Sequence, residues 1–150
     1  MTEIFPNEGL DYLLGLVPKG GTSPTTLYMG LFTSQTASTV LTAAQTLVTN
    51  ITEAAYTGYT RIAVASTDWG STGSQSIWSQ TVEAVTAAQK SFPAATATYS
   101  TAINGFFLSS TSVVSAGICI MASNFSDTTA VATMAIGDII KVTPSWGLGN

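Results

Sequence analysis

Beyond residue 24 the chain has no stretch in which apolar residues recur every three or four positions. Short runs alternate apolar and polar residues instead, and each run is cut off by turn formers. Such a pattern cannot line one face of a helix, but it lines one face of a strand, because successive strand side chains point to opposite sides. The runs are 26–32, 59–65, 76–80, 82–92, 103–109, 113–122, 130–135 and 139–146. Between them lie signals such as Ser23-Pro24, Trp69-Gly70-Ser71-Thr72-Gly73, Pro93 and Gly137-Asp138. About eight short strands at roughly 8–12-residue spacing predict an all-β fold, an antiparallel sandwich or barrel. Run 26–32 is apolar enough to be buried on both faces. In run 59–65, Arg61 and Ala63 share one face, and Ile62 and Val64 share the other. Asn104-Gly105 falls inside a run and reads as a turn or a bulge.

The single helical period lies near the N-terminus. Asn7 is placed to cap a short helix with apolar positions Leu10, Leu13, Leu14 and Val17, and Glu8 and Asp11 sit near its electropositive start. Pro18 and Gly20-Gly21 end it. Residues 1–6 then read as an N-terminal arm and 7–150 as one domain, a length sufficient to bury a core without a disulfide or metal staple. Residues 34–57, rich in Thr and Ala with Leu41, Leu47, Val48 and Ile51 as isolated apolar points, read as a loop. A loop of that length is uncommon unless it has a role.

Composition matters for what the chain can do. It has no His, which removes the commonest general base and metal ligand. The eight acids, Glu3, Glu8, Asp11, Glu53, Asp68, Glu83, Asp127 and Asp138, fall mostly one to a loop or strand end, with no pair at motif spacing. Cys119 is alone within Ile118-Cys119-Ile120-Met121, so it is expected to be a buried, inert thiol. No phosphate loop, nucleophile elbow or dinucleotide fingerprint occurs. The chain therefore reads as a non-enzyme with no cofactor and no metal. Its four basic residues, Lys19, Arg61, Lys90 and Lys141, are scattered, and the net charge is −4, so no phosphate-neutralising footprint exists and no nucleic acid is expected. There is no signal-peptide pattern and no apolar run near the ~18 residues of a membrane helix, so a soluble chain without membrane contact is expected.

Only 8% of residues are charged, while the chain holds 25 Thr, 17 Ser and 19 Ala. A surface of small hydroxyls loses little side-chain entropy when covered, which suits permanent contact with neighbouring proteins. Candidate contact residues are Ile4, Phe5 and Pro6 in the arm, Leu41, Leu47, Val48 and Ile51 in the long loop, and Trp69, Trp78 and Trp146.

Several motifs in order carry a resemblance. They are the N-terminal helix; Thr26-Leu27-Tyr28-Met29-Gly30-Leu31-Phe32; Gly58-Tyr59-Thr60-Arg61 after a loop containing Glu53; Phe92-Pro93-Ala94-Ala95-Thr96; Gly105-Phe106-Phe107-Leu108; and Ile136-Gly137-Asp138-Ile139-Ile140-Lys141-Val142. In this order the chain resembles small phage virion structural proteins, with Tyr99 standing where Trp is usual. The resemblance implies a jelly-roll-like β-sandwich with one short N-terminal helix, made in the host cytoplasm and carried in the virion. It implies a capsid decoration or cement protein on the shell surface that bridges major capsid protein subunits and self-associates as a dimer or trimer. The alternative is a tail or tail-fibre adaptor, or a host-surface binding module.

Overall fold

The computed structural model describes residues 3–4, 6–16, 20–22, 24–34, 51–77, 80–125 and 131–148. Among them lie a helix, α1 (Asn7–Leu16), and ten strands: β1 (Glu3–Ile4), β2 (Thr26–Phe32), β3 (Ile62–Ala65), β4 (Gly73–Ile77), β5 (Gln80–Thr86), β6 (Lys90–Ser91), β7 (Gly105–Ser109), β8 (Cys119–Asn124), β9 (Lys141–Val142) and β10 (Ser145–Leu148). The all-β class with one short helix is what the alternating runs predicted. The strands form three sheets, of order β1-β8-β7-β2-β3, β10-β5-β4 and β6-β9, and every pairing among the described residues is antiparallel.

Several strands are shorter than their sequence runs. Run 113–122 becomes a strand only at Cys119, because residues 110–118 form the loop between β7 and β8. Run 82–92 is broken between β5 and β6. Run 130–135 contributes only single bridges, Val131 to Ile103 and Met134 to Tyr99. Within the expected arm, Glu3 and Ile4 pair with Ser123 and Ala122 at the sheet edge, and Pro6 is buried.

Strand β2 lies between β3 and β7 and is buried on both faces. Met29 and Leu31 enter the main core with Leu108, Phe92, Ile140 and Val142. On the opposite face Phe32 packs with Phe107, Ile51, Cys119 and Ala122. Burying each such Phe, Leu or Met contributes roughly 1.5–3 kcal/mol. The β2–β7 register explains the close fit, because Gly30 faces Phe107 and Phe32 faces Gly105. A Cβ on Gly30 would meet the Phe107 ring at 2.2 Å, and one on Gly105 would meet the Phe32 ring at 2.4 Å. Each strand thus offers a bare backbone to its partner's ring. Asn104-Gly105 therefore marks strand entry and close packing, not a turn or bulge.

The bulge lies elsewhere. Leu108 pairs with Met121 and Ser109 with Cys119, which leaves Ile120 unopposed and sends both Ile120 and Met121 into the main core. Helix α1 docks on this irregularity. Glu8 accepts the Cys119 N–H at 2.6 Å, and a Cβ on Gly9 would lie 2.3 Å from the Ile120 carbonyl oxygen.

Candidate functional site

The densest polar cluster in the described structure is built on Glu53 and Arg61. Residues 51–54 run along the end of β2, with Ala54 N–H donating to the Leu31 carbonyl at 2.8 Å and Thr33 N–H to the Thr52 carbonyl at 2.9 Å. This brings the Glu53 side chain to Arg61, the residue just before β3. The guanidinium grips the carboxylate at two points, Nε to Oε1 and Nη2 to Oε2, both 2.8 Å. Its Nη1 reaches Ser109 Oγ (3.1 Å) and the carbonyls of Thr111 (2.8 Å) and Ala116 (2.9 Å), and its Cζ lies over the Phe107 ring, 5.0 Å from the ring centre. Glu53 also accepts the Tyr59 hydroxyl proton at 2.7 Å and the Ser115 N–H at 2.7 Å. The Tyr59 oxygen in turn accepts the Leu31 N–H at 2.9 Å.

The arrangement is a buried brace. Arg61 and Glu53 side chains are 0% and 2% exposed, and four donors saturate the carboxylate. Burial, and then the nearby Glu53 charge, push the Tyr59 hydroxyl far above its ordinary range, and burial pushes the Tyr56 hydroxyl up to about 12. Neither phenol supplies a base near neutral pH.

Asp68, Asp138 and Glu8 each hold a separate piece of backbone. Asp68 accepts the Ala65 N–H at 2.7 Å and pairs with Lys90 at 2.6 Å. The bonds to Lys90 and to Ala65 hold its carboxyl below the ordinary value. Asp138 accepts the Ala135 N–H at 2.7 Å, and Glu8 holds Cys119. Among the described residues no three His, Cys, Asp or Glu side chains gather where they could hold a metal, and no helix is long and apolar enough to cross a membrane. Cys119 is buried, and burial pushes its thiol up.

What the brace holds is the loop 110–118. Its tip carries Val113 and Val114, 60% and 45% exposed. Among the described residues two other exposed apolar pairs occur, Leu10 with Leu14 on α1, and Ile136 with Ile139 on either side of a turn, Ile136 being 70% exposed. An apolar cleft of about 240 Å³ lies between α1 and the start of β2, lined by Tyr12, Leu13, Leu16, Leu27 and Trp69 among others.

The contact residues expected from sequence scatter. Phe5, Leu41, Leu47, Val48 and Trp78 lie outside the described residues. Ile4 pairs with Ala122 in β1 and Trp146 with Val85 in β10. Pro6 is buried and its carbonyl accepts the Leu10 N–H. Ile51 is core, packed with Phe32 and Phe107, so it has no surface to offer a partner. Trp69 packs against the main core and forms a wall of the cleft. The exposure of Val113 and Val114 was not legible in the sequence because they head an apolar run. The flanking Ser110-Thr111-Ser112 and Ser115-Ala116-Gly117 were the turn signal that could have set them apart.

The family model described as podophage GP4 fiber I protein gp80 matches residues 1–145. No curated protein and no solved structure matches the chain.

Proposed function

We propose that this chain, which belongs to the podophage GP4 fiber I protein gp80 family, is a non-catalytic adaptor of the phage tail fibre that works by seating against neighbouring virion proteins. The observation that carries the reading is the family match, which spans all but residues 146–150 and whose description names a fibre component. The match supports a fibre-associated structural protein of the virion. Of the two locations the sequence left open, the fibre fits better. Nothing in the match or the fold speaks for capsid decoration, and the shell surface and the major capsid protein are set aside with it.

The geometry is in keeping with an adaptor. Among the described residues the densest gathering of ionisable side chains is sealed and internally satisfied. The large exposed apolar side chains among the described residues are aliphatic, which suits protein contact better than the aromatic platforms on which sugars stack. Quantitative mass spectrometry of purified particles, with labelled antibody to locate the chain, tests the proposal. On the order of a dozen copies at the tail are expected from tail symmetry, whereas hundreds spread over the shell would overturn it. Turnover of a host polysaccharide by the purified chain would sink its non-catalytic half.

A further inference from the structure

We propose that Asn104-Gly105 is a deamidation site that folding closes, so that conversion there marks chains that have unfolded and bars them from folding again. The inference rests on the fold alone and is independent of where the chain sits in the particle.

The pair is the only Asn followed by Gly in the chain. In that dipeptide the asparagine side chain is most readily attacked by the next backbone nitrogen, because glycine has no Cβ to obstruct ring closure. In an open chain the Gly105 nitrogen bonds to Asn104 Cγ, the Cγ–Nδ2 bond breaks, and ammonia leaves with the proton of the Gly105 amide. Water then opens the cyclic imide at either carbonyl. The product at position 104 is aspartate or its β-linked isomer, and no reagent beyond water is needed.

The fold removes the freedom this step requires. Asn104 is 6% exposed, and its Nδ2 donates to the Thr33 carbonyl at 2.7 Å. Its N–H donates to the Phe32 carbonyl at 2.9 Å, and its carbonyl accepts the Phe125 N–H at 2.7 Å, so the peptide groups on both sides of it are fixed. Gly105 is buried in the ladder between Phe32 and Asn124. To close the ring, Asn104 must let go of Thr33 and the 104–105 peptide must turn away from Phe125.

The same contacts reject the product. An aspartate at 104 has no N–H to give the Thr33 carbonyl, and its buried carboxylate would face that oxygen at hydrogen-bond distance. The β-linked isomer inserts a methylene into the main chain just ahead of Gly105. That glycine has no slack, because even a Cβ on it would lie 2.4 Å from the Phe32 ring. The fold therefore uses both residues of the labile pair, Gly105 to seat the ring and Asn104 to tie the end of β2.

Peptide mass spectrometry of the full chain, incubated at mildly alkaline pH across a guanidinium series, tests this. In full denaturant Asn104 should convert to the acid, while Asn7, Asn50 and Asn124, followed by Glu8, Ile51 and Phe125, lag behind. In native buffer its conversion should be at least about a hundredfold slower, since it proceeds only through the open state. Along the series the rate should rise with the unfolding transition followed by circular dichroism. After dilution from denaturant the refolded fraction should be depleted in converted chains, with unconverted chains in the same sample as the control. Independently, Asn104→Asp should melt several degrees below wild type or fail to fold. Native conversion as fast as in denaturant, or a rate that climbs well before the transition, overturns the closed site. Converted chains that refold like the unconverted ones, or Asn104→Asp with an unchanged melting temperature, overturn the bar to refolding.

Discussion

Arg61 has five N–H donors, and the fold supplies acceptors from three separate parts of the chain, Glu53, Ser109 and the loop carbonyls. A buried charge left alone is far more costly than a buried pair removed whole. Arg61→Ala or Glu53→Ala should therefore destabilise the fold by about 3–5 kcal/mol, measured by chemical denaturation. The double replacement Arg61→Met/Glu53→Leu should lose less than either single change, yet the Ser115 amide should exchange with solvent faster because its acceptor is gone. Single changes costing under ~1 kcal/mol would show that the pair is not buried as described. From sequence, Arg61 was legible as a strand residue on the same face as Ala63 and as the end of the Gly58-Tyr59-Thr60-Arg61 motif. Its partners Ser109, Thr111 and Ala116 lie 48–55 residues away, and no local pattern couples positions so far apart.

Among the elements, α1 shows how a correct assignment can hide a wrong face. The apolar spacing of Leu10, Leu13, Leu14 and Val17 located the helix, and Val17 lies outside the described residues. Leu10 and Leu14 are exposed, while Gly9 is buried and Tyr12 and Leu13 pack against the main core. The docking contact decides this. Gly9 lets the helix backbone approach the bulge at Ile120, and Glu8 takes the Cys119 N–H, so the helix is turned away from the leucine stripe that sequence favoured. Two substitutions separate propensity from packing. Gly15→Ala, whose Cβ meets nothing within 4 Å, should raise stability by about 0.5–1 kcal/mol, the ordinary helix preference. Gly9→Ala should lower it by about 1–3 kcal/mol despite the same preference, because the methyl overlaps backbone that cannot yield. Thermal denaturation of both variants reads the signs directly, and equal signs would refute the docking geometry.

For the molecule as a whole, the shifted groups set a pH window. Cys119 and Tyr59 are acids whose folded values are raised from 9.0 and 10.0 by burial. Above those values the unfolded chain loses protons that the folded chain keeps, so stability present at neutral pH falls as pH rises. Asp68 has the opposite sense. Its value is lowered from 3.8, so its contribution is present above that value and is lost as pH falls below it. Melting temperature followed across the pH range should show a plateau near neutrality with a decline beginning at about pH 9. Asp68→Asn should reduce part of the acid-side slope. A melting temperature level into the strongly alkaline range would contradict the burial of Cys119 and Tyr59.

By itself the sequence determined the all-β class, the single short helix, the buried thiol and the two-sided burial of run 26–32, because these follow from local periodicity and composition. The order of its motifs also carried the likeness to phage structural proteins. Only the tertiary structure decided which strands are neighbours, where the bulge lies, which helix face turns inward, and that Val113 and Val114 stand on a braced loop instead of inside a strand. The physical reason is distance along the chain. Glu8 meets Cys119 across 111 residues and Glu53 meets Ser115 across 62. Such closures depend on the packed shape of the whole molecule and leave no trace in any window of neighbouring residues.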